Sequence, residues 1–414
     1  MLSRFFKTQS RIKKLCDGST GSVIESFARV LSEAAYANGT ARRHLRAAEH
    51  FLYWIRWHGI TVREANEQAL MRFANHFSQC QCPHFSHADP VGVTGGARLF
   101  ASHLRDIGII AAPVRQDFKD PELWVAFGHW MRQQRGTCDV TLSIYSRPVC
   151  ELLARMGEEP SRLQASMLRD FVLEKHRSCG WAKAKKCTTA LRMFLRFLIA
   201  KGYCAVGLEA AVPTLAHWRL ATLPRYLQAE EVERVIASCD RSSPVGRRDR
   251  AILLLLARLG LRAGDIVHLQ LSDIDWKNAS IQVSGKSRRQ TQLPLTQEIG
   301  QAIVEYLQDG RPRSSADTVF VRCRAPFRPF HSSCAVSMIV DLALRRARML
   351  RPNRGAAHLL RHSVATSMLR EGASLEDIRS ILRHSSIETT QIYAKVDITA
   401  LRQIAQPWPE VQSC

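Results

Sequence analysis

The chain has 414 residues, 46% of them hydrophobic, and 59 Lys and Arg stand against 37 Asp and Glu, for a formal charge of +22. That composition excludes a disordered chain and gives room for two or three domains, each with its own core. The cationic excess favours a polyanionic partner, nucleic acid before an anionic membrane surface, because the apolar run that begins at Ala251 is closed by Arg258 well short of a bilayer span.

The first residues, MLSRFFKTQSRIKKL, are basic and lack the apolar core and cleavage site of a secretory signal, so a cytoplasmic location is expected. Twelve cysteines are scattered without a framework pattern and read as free thiols of a reducing compartment. The first hundred or so residues read as helical. Thr40 is predicted to cap a helix through ARRHLRAAEHFLYWIRWHG that ends at Gly59, with Leu45, Phe51, Leu52 and Ile55 near one face. A second helical stretch is expected over residues 62–77. The Gly- and Pro-rich piece QCQCPHFSHADPVGVTGG reads as irregular, and a helix is expected over 97–106. Cys80, Cys82, His84 and His87 in that piece are zinc-type ligands. Cys-x-Cys is not the usual knuckle spacing and no second pair follows nearby, so a metal-free loop is the expectation and a structural zinc the alternative.

Residues 118–205 predict four short helices. Their apolar sets begin with Trp124, Phe127, Trp130 and Met131 and end with Leu191, Phe194, Leu195 and Leu198. Pro213 and Pro224 mark 206–225 as a linker. Beyond it, helices are predicted over 229–238 and 247–259, and ASIQV, GKSRRQ and TQLPL read as strand, turn and strand. Helices return over 296–308, 333–349, 358–371, 375–382 and 386–394. The expected fold is mainly α with a small β-sheet.

Four pieces of the second half carry chemistry: GLRAGDIVHL (260–269), SGKSRRQ (284–290), HLLRHSVAT (358–366) and LRHSSIETTQIYAKV (382–396). Taken singly, each has a bland reading as a salt-bridge arginine, a solvated lysine, a core histidine or a core tyrosine. Together they resemble a family of enzymes, the tyrosine recombinases, and the resemblance implies attack on a phosphodiester. The five-coordinate phosphorus gains negative charge, and the guanidinium forks of Arg262 and Arg361 are suited to receive it. Arg361 follows His358 by three residues, so both project from one helix face. His358 and His384 add hydrogen bonds or move protons. A tyrosine hydroxyl, with a pKa of about 10, must lose its proton during attack; the cations favour this, and His358 is a candidate acceptor.

In chain order these residues resemble the tyrosine recombinase, or phage-integrase, family. The family set of Arg, Lys, His/Lys, Arg, His/Trp and Tyr is matched by Arg262, Lys286, His358, Arg361, His384 and Tyr393, with Asp265 and His362 in support. One position departs: Arg383 stands where the family pattern has Gly. The resemblance covers about 222–405 and extends more weakly over 118–205. It implies an α+β catalytic domain at 226–405, a core-binding DNA-binding domain at 118–205, a helical accessory domain at 1–115, a linker at 206–225 and a tail at 406–414, arranged as a C-shaped clamp. Tyr393 is then the nucleophile, the product a 3′-phosphotyrosyl bond, and Lys286 the proton donor to the leaving 5′-oxygen, with no cofactor. The implied partners are double-stranded DNA, further copies of the chain in a tetramer on two synapsed sites, and accessory or companion recombinases. The implied role is integration, excision or transposition of a mobile element. A catalytically silent DNA-binding regulator and a type IB topoisomerase-like relaxing enzyme are the alternatives. Arg345, Arg346, Arg348, Arg351 and Arg354, in a stretch without acids leading to His358, are expected to track DNA phosphates, as are Arg288 and Arg289 in the hairpin.

Overall fold

The computed structural model describes the chain except for residues 19, 84, 86–88, 112–119, 158, 215–222, 285–289, 351, 353, 354, 398–400, 403, 404 and 406–414. Lys286, Arg288, Arg289, Arg351, Arg354, His84 and His87 therefore lie outside the described residues. The chain divides into two compact units, Met1–Ala111 with Leu220–Cys414 and Ala112–Arg219.

The first part of the larger unit contains α1 (Leu2–Phe5), α2 (Gln9–Cys16), α3 (Gly21–Glu33), α4 (Asn38–Trp57), α5 (Glu67–Asn75) and α6 (Pro90–Asp106). Phe27, Leu45, Phe51, Trp54, Phe73 and Phe100 form its core. Two expectations change here. Thr40 lies inside the first turn of α4, whose N-cap is Ala37 and carries no side-chain bond. The helix expected over 97–106 starts at Pro90: the Asp89 carboxylate accepts from the N–H groups of Val91 and Gly92, and Pro90 fills the first helical position. That cap outweighs the low helix propensity of three glycines. One of them is needed for packing, because a Cβ on Gly96 would lie 2.5 Å from the Ala47 Cβ on α4.

The second unit is built of the four predicted helices, α7 (Glu122–Arg135), α8 (Asp139–Met156), α9 (Ala165–Cys179) and α10 (Trp181–Ala200). Phe127, Leu152, Phe171, Leu191, Phe194 and Phe197 are buried together among them. Part of the expected linker belongs to this fold, since Leu208–Ala211 forms a 3-10 turn and Val212 is buried in the same core.

The remainder of the larger unit holds α11 (Ala229–Ala237), α12 (Pro244–Leu259), α13 (Ala263–His268), β1 (Ile274–Asp275), β2 (Ser280–Ser284), β3 (Gln290–Pro294), α14 (Gln297–Asp309), α15 (Ser333–Arg346), α16 (Ala356–Arg370) and α17 (Leu375–Ile381). The strands make one antiparallel sheet in the order β1-β2-β3. The central helix is α12. Ser243 caps it by accepting from the Gly246 N–H, Pro244 opens it, and Gly260 at φ +58° ends it. Its aliphatic run is buried all round, as a helix enclosed by neighbours requires. The short α13 is an addition to the predicted elements. The helix expected over 386–394 is instead two 3-10 turns, Ile387–Thr389 and Gln391–Val396. Ser386 turns its side chain onto the Glu388 N–H, the local bonding that makes Ser and Thr poor in helix interiors. Among the described residues no helix is long and apolar enough to cross a membrane.

Candidate active site

Arg262 and Arg361, from two distant chain segments, meet at the carbonyls of 382 and 383. Arg262 sits at the N-terminus of α13, where its backbone N–H donates to Asp265 at 2.9 Å and so sets the turn. Its Nη2 donates to the Arg383 carbonyl at 2.6 Å and to the Leu382 carbonyl at 3.4 Å. Arg361, on α16 and only 4% exposed, donates from Nη1 to the Gly260 carbonyl and from Nη2 to the Leu382 carbonyl. Both guanidiniums thus share one backbone oxygen. Gly260 allows the close approach, because a Cβ there would lie 2.6 Å from Leu382 Cδ2.

Burial pushes the Arg361 guanidinium down to about 9, and the charges of Arg262 and Arg383 add to the effect. Burial also lowers Arg262, with Asp265 opposing. Arg262 keeps a buried Nη1 that has no hydrogen-bond partner among the described residues. A desolvated donor beside a second guanidinium is organised for an anion.

Tyr393 is 1% exposed, and its hydroxyl lies 2.9 Å from His362 Nδ1. Burial raises the phenol to about 12, against the pull of Arg361. Burial lowers His362 to about 4, followed by the charges of His358 and Arg361. The ring is therefore neutral near pH 7, and in the tautomer protonated on Nε2 it accepts the phenolic proton. The imidazole bonded to Tyr393 is thus His362, where His358 was the expected acceptor. The exposed His358 ring lies 6.4 Å from that of His362, one helical turn earlier. His384 Nδ1 is 2.8 Å from Oγ1 of the buried Thr390. Burial lowers His384 to about 4, with Arg361, Arg262 and His362 contributing.

Arg383 adopts φ +54°, a left-handed backbone that glycine accepts without cost. Its side chain pairs with Asp265 at 2.5 Å, and both side chains are 7% exposed. This pairing and the bonds of Thr390 and Gly260 are contributions that the motifs did not announce. In the basic stretch, Arg345, Arg346 and Arg348 are exposed. Arg345 pairs with Asp341 at 3.5 Å, and Arg346 lies 3.8 Å from the buried Asp249. Away from this site, Cys80 and Cys82 come together with His50 and His76.

A buried phenol held by an imidazole, next to two guanidiniums with a free donor, fits the class of enzymes that break and rejoin nucleic-acid strands through a protein tyrosine. The comparisons narrow this class. Residues 225–399 match the model of the phage integrase family. The integrase/recombinase y4rA of Sinorhizobium fredii is 36% identical over 400 residues, covering 95% of each chain. The tyrosine recombinase XerD of Lacticaseibacillus casei is 28% identical over 272 residues, 64% of this chain and 91% of that one. In fold, the chain resembles the XerH site-specific recombinase with a TM-score of 0.53 at 18% identity, over 81% of this chain and 93% of that one. The chain belongs to the phage integrase family and is a tyrosine-type DNA recombinase.

Proposed function

We propose that the protein recombines double-stranded DNA at specific sites with Tyr393 as nucleophile. The observation that carries this is the Tyr393 hydroxyl 2.9 Å from a neutral imidazole, beside the paired guanidiniums of Arg262 and Arg361. In the proposed reaction the phenol oxygen forms a bond to phosphorus while its proton passes to His362. The bond from phosphorus to the 5′-oxygen breaks, and that oxygen takes a proton from Lys286, a role given by the family resemblance. Arg262, Arg361, His358 and His384 stabilise the phosphoryl oxygens, and Asp265 sets the turn that presents Arg262. The 3′-phosphotyrosyl product conserves the energy of the phosphodiester, so a 5′-hydroxyl from a second strand reverses the chemistry and reseals the DNA.

The proposal extends to domains and partners. The helices of 118–205, with the turn at Leu208–Ala211 and Val212 packed on them, serve as a core-binding domain, the rest of 206–225 as the connection, 226–405 as the catalytic domain, 1–115 as an accessory domain and 406–414 as a tail. Arg345, Arg348, Arg351, Arg354, Arg288 and Arg289 contact phosphates; Arg346 does so while also facing Asp249. Four copies act on two synapsed sites in the cytoplasm, with accessory or companion recombinases, to move a mobile element.

Covalent capture tests the reading. Nicked duplexes from the ends of the element that carries the gene are incubated with protein in buffer free of divalent metal and run on a denaturing gel. Wild type gives a slower protein–DNA band, and Tyr393→Phe binds the same duplex without giving it. A band that survives Tyr393→Phe removes this tyrosine from the role.

A further inference from the structure

The first part of the chain carries four side chains of metal-binding type that strand transfer does not use. His50 lies on α4, His76 follows α5, and Cys80 and Cys82 lie between α5 and α6. One ligand atom from each lies within 4.8 Å of the other three. Cys80 Sγ is 3.7 Å from His50 Nε2, and Cys82 Sγ is 3.9 Å from His76 Nε2. Zinc bonds of about 2.3 Å to sulfur and about 2.0 Å to nitrogen place tetrahedral ligands roughly 3.3–3.8 Å apart. Two of the nitrogen–sulfur pairs therefore already stand near the spacing a tetrahedral ion imposes, and the other pairs, all within 4.8 Å, need closure of at most about 1.5 Å.

We propose that His50, His76, Cys80 and Cys82 form a structural zinc site. Each histidine presents Nε2 to a cysteine sulfur. His76 Nδ1 donates to the Phe73 carbonyl, which leaves the Nε2 lone pair for a metal, the usual outer support of a ligating imidazole. His50 is 1% exposed, and its Nδ1 has no hydrogen-bond partner among the described residues. Its Nε2 faces Cys80, so Nδ1 carries the ring proton when a metal takes the Nε2 lone pair. The surroundings are aromatic: Phe85 stacks on His50 at 4.4 Å, Phe73 and Phe77 meet it edge-on at 5.1 and 5.7 Å, and Trp54 lies 5.7 Å from His76. Such a shell restricts water and fixes ring orientation.

Two sulfurs and two nitrogens in a tetrahedral set select zinc, and four protein ligands leave no position for a substrate. The ion therefore serves the fold. It ties the segment between α5 and α6 to α4, where that segment has few apolar residues with which to hold itself. Among the described residues, the cysteine pair finds its partners in two upstream histidines, at positions 50 and 76.

The test is the metal content of the full chain, purified under reducing conditions without chelator. Wild type is expected to hold about one zinc per chain. Cys138→Ser and Cys179→Ser, which replace exposed cysteines, keep it, and the Cys80→Ser/Cys82→Ser double variant loses it. Should the double variant fail to fold, cobalt decides: the wild-type chain loaded with Co2+ shows the intense visible bands and thiolate charge transfer of a tetrahedral sulfur–nitrogen site. Zinc below about a tenth per chain together with no such cobalt spectrum overturns the proposal. Zinc fully retained by a folded double variant, or a Cys80–Cys82 disulfide in place of metal in the reduced preparation, overturns it as well.

Discussion

Replacing Arg383 separates two energies that oppose each other at one residue. The left-handed backbone at φ +54° costs a non-glycine residue about 1–2 kcal/mol. The ion pair with Asp265 is 2.5 Å long with both side chains 7% exposed, and removing one partner from a buried pair costs about 3–5 kcal/mol. Arg383→Ala keeps the strain and loses the pair, so it destabilises by about 3–5 kcal/mol. Arg383→Gly loses the pair but relieves the strain, for a net loss of about 1–4 kcal/mol. At about 2–4 °C per kcal/mol for a domain of this size, Ala lowers the melting transition of the catalytic part by roughly 6–20 °C, and Gly lowers it a few degrees less. Differential scanning calorimetry of the full chain reads both shifts. In an Asp265→Ala background the sign of Arg383→Gly reverses, because it then removes a guanidinium with no carboxylate to pair with. The reasoning fails if Arg383→Gly melts at or above wild type while Asp265 is intact.

Two further outcomes follow from the same network. Arg361→Lys replaces a fork that spans the Gly260 and Leu382 carbonyls with a single ammonium, and covalent-complex formation is expected to fall about 100- to 1000-fold with DNA binding kept in a band-shift assay; a loss under tenfold speaks against it. His362 faces Tyr393, His358 and Arg361, and proton NMR of the DNA-free protein is expected to show it titrating near 4, whereas a midpoint above about 6 contradicts its burial. The unfolded chain holds this ring at about 6.5, so it binds a proton that the native state refuses between the two values. The ring's contribution to stability is whole above pH about 6.5 and is lost as pH falls toward 4.

Signals that act locally were legible in the sequence. The helix expected over 247–259 ends where Gly260 closes α12, although the Ser243–Pro244 cap starts it three residues earlier, and Arg262 directly after it carries the first motif. The chain order of arginine, histidine, arginine, histidine and tyrosine was sufficient to bring Arg262, His358, Arg361, His384 and Tyr393 into view. What holds them was not legible, because the acceptors for Arg361 are backbone oxygens at 260 and 382, each remote in sequence and carrying no side-chain signature. His358 and His362 share a helix face at a spacing of four, and only burial distinguishes the ring that reaches Tyr393. The start of α6 was missed because three glycines weighed more in the reading than one Asp-Pro cap does in the structure. The departure at Arg383 was visible, but its use needed the carboxylate of Asp265, more than a hundred positions away.

The charge of the site decides what it binds most tightly. Among the described residues, Arg262, Arg361 and Arg383 surround a single carboxylate, that of Asp265. Asp265 is taken by Arg383, while Arg361 is anchored by two neutral carbonyls and Arg262 by the carbonyls of Leu382 and Arg383. Carboxylates in those anchoring positions would have cancelled the guanidinium charge; carbonyls orient it and leave it intact. With His362 and His384 neutral and Tyr393 protonated near pH 7, the cluster keeps two uncompensated positive charges, and their repulsion adds to the burial that depresses Arg361 to about 9. A phosphodiester brings one negative charge, and the five-coordinate phosphorus formed by phenolate attack brings close to two. In the reaction proposed for Tyr393, the site therefore complements the transition state more fully than the bound substrate, which is the condition under which electrostatic preorganisation raises the rate of the chemical step rather than only the affinity.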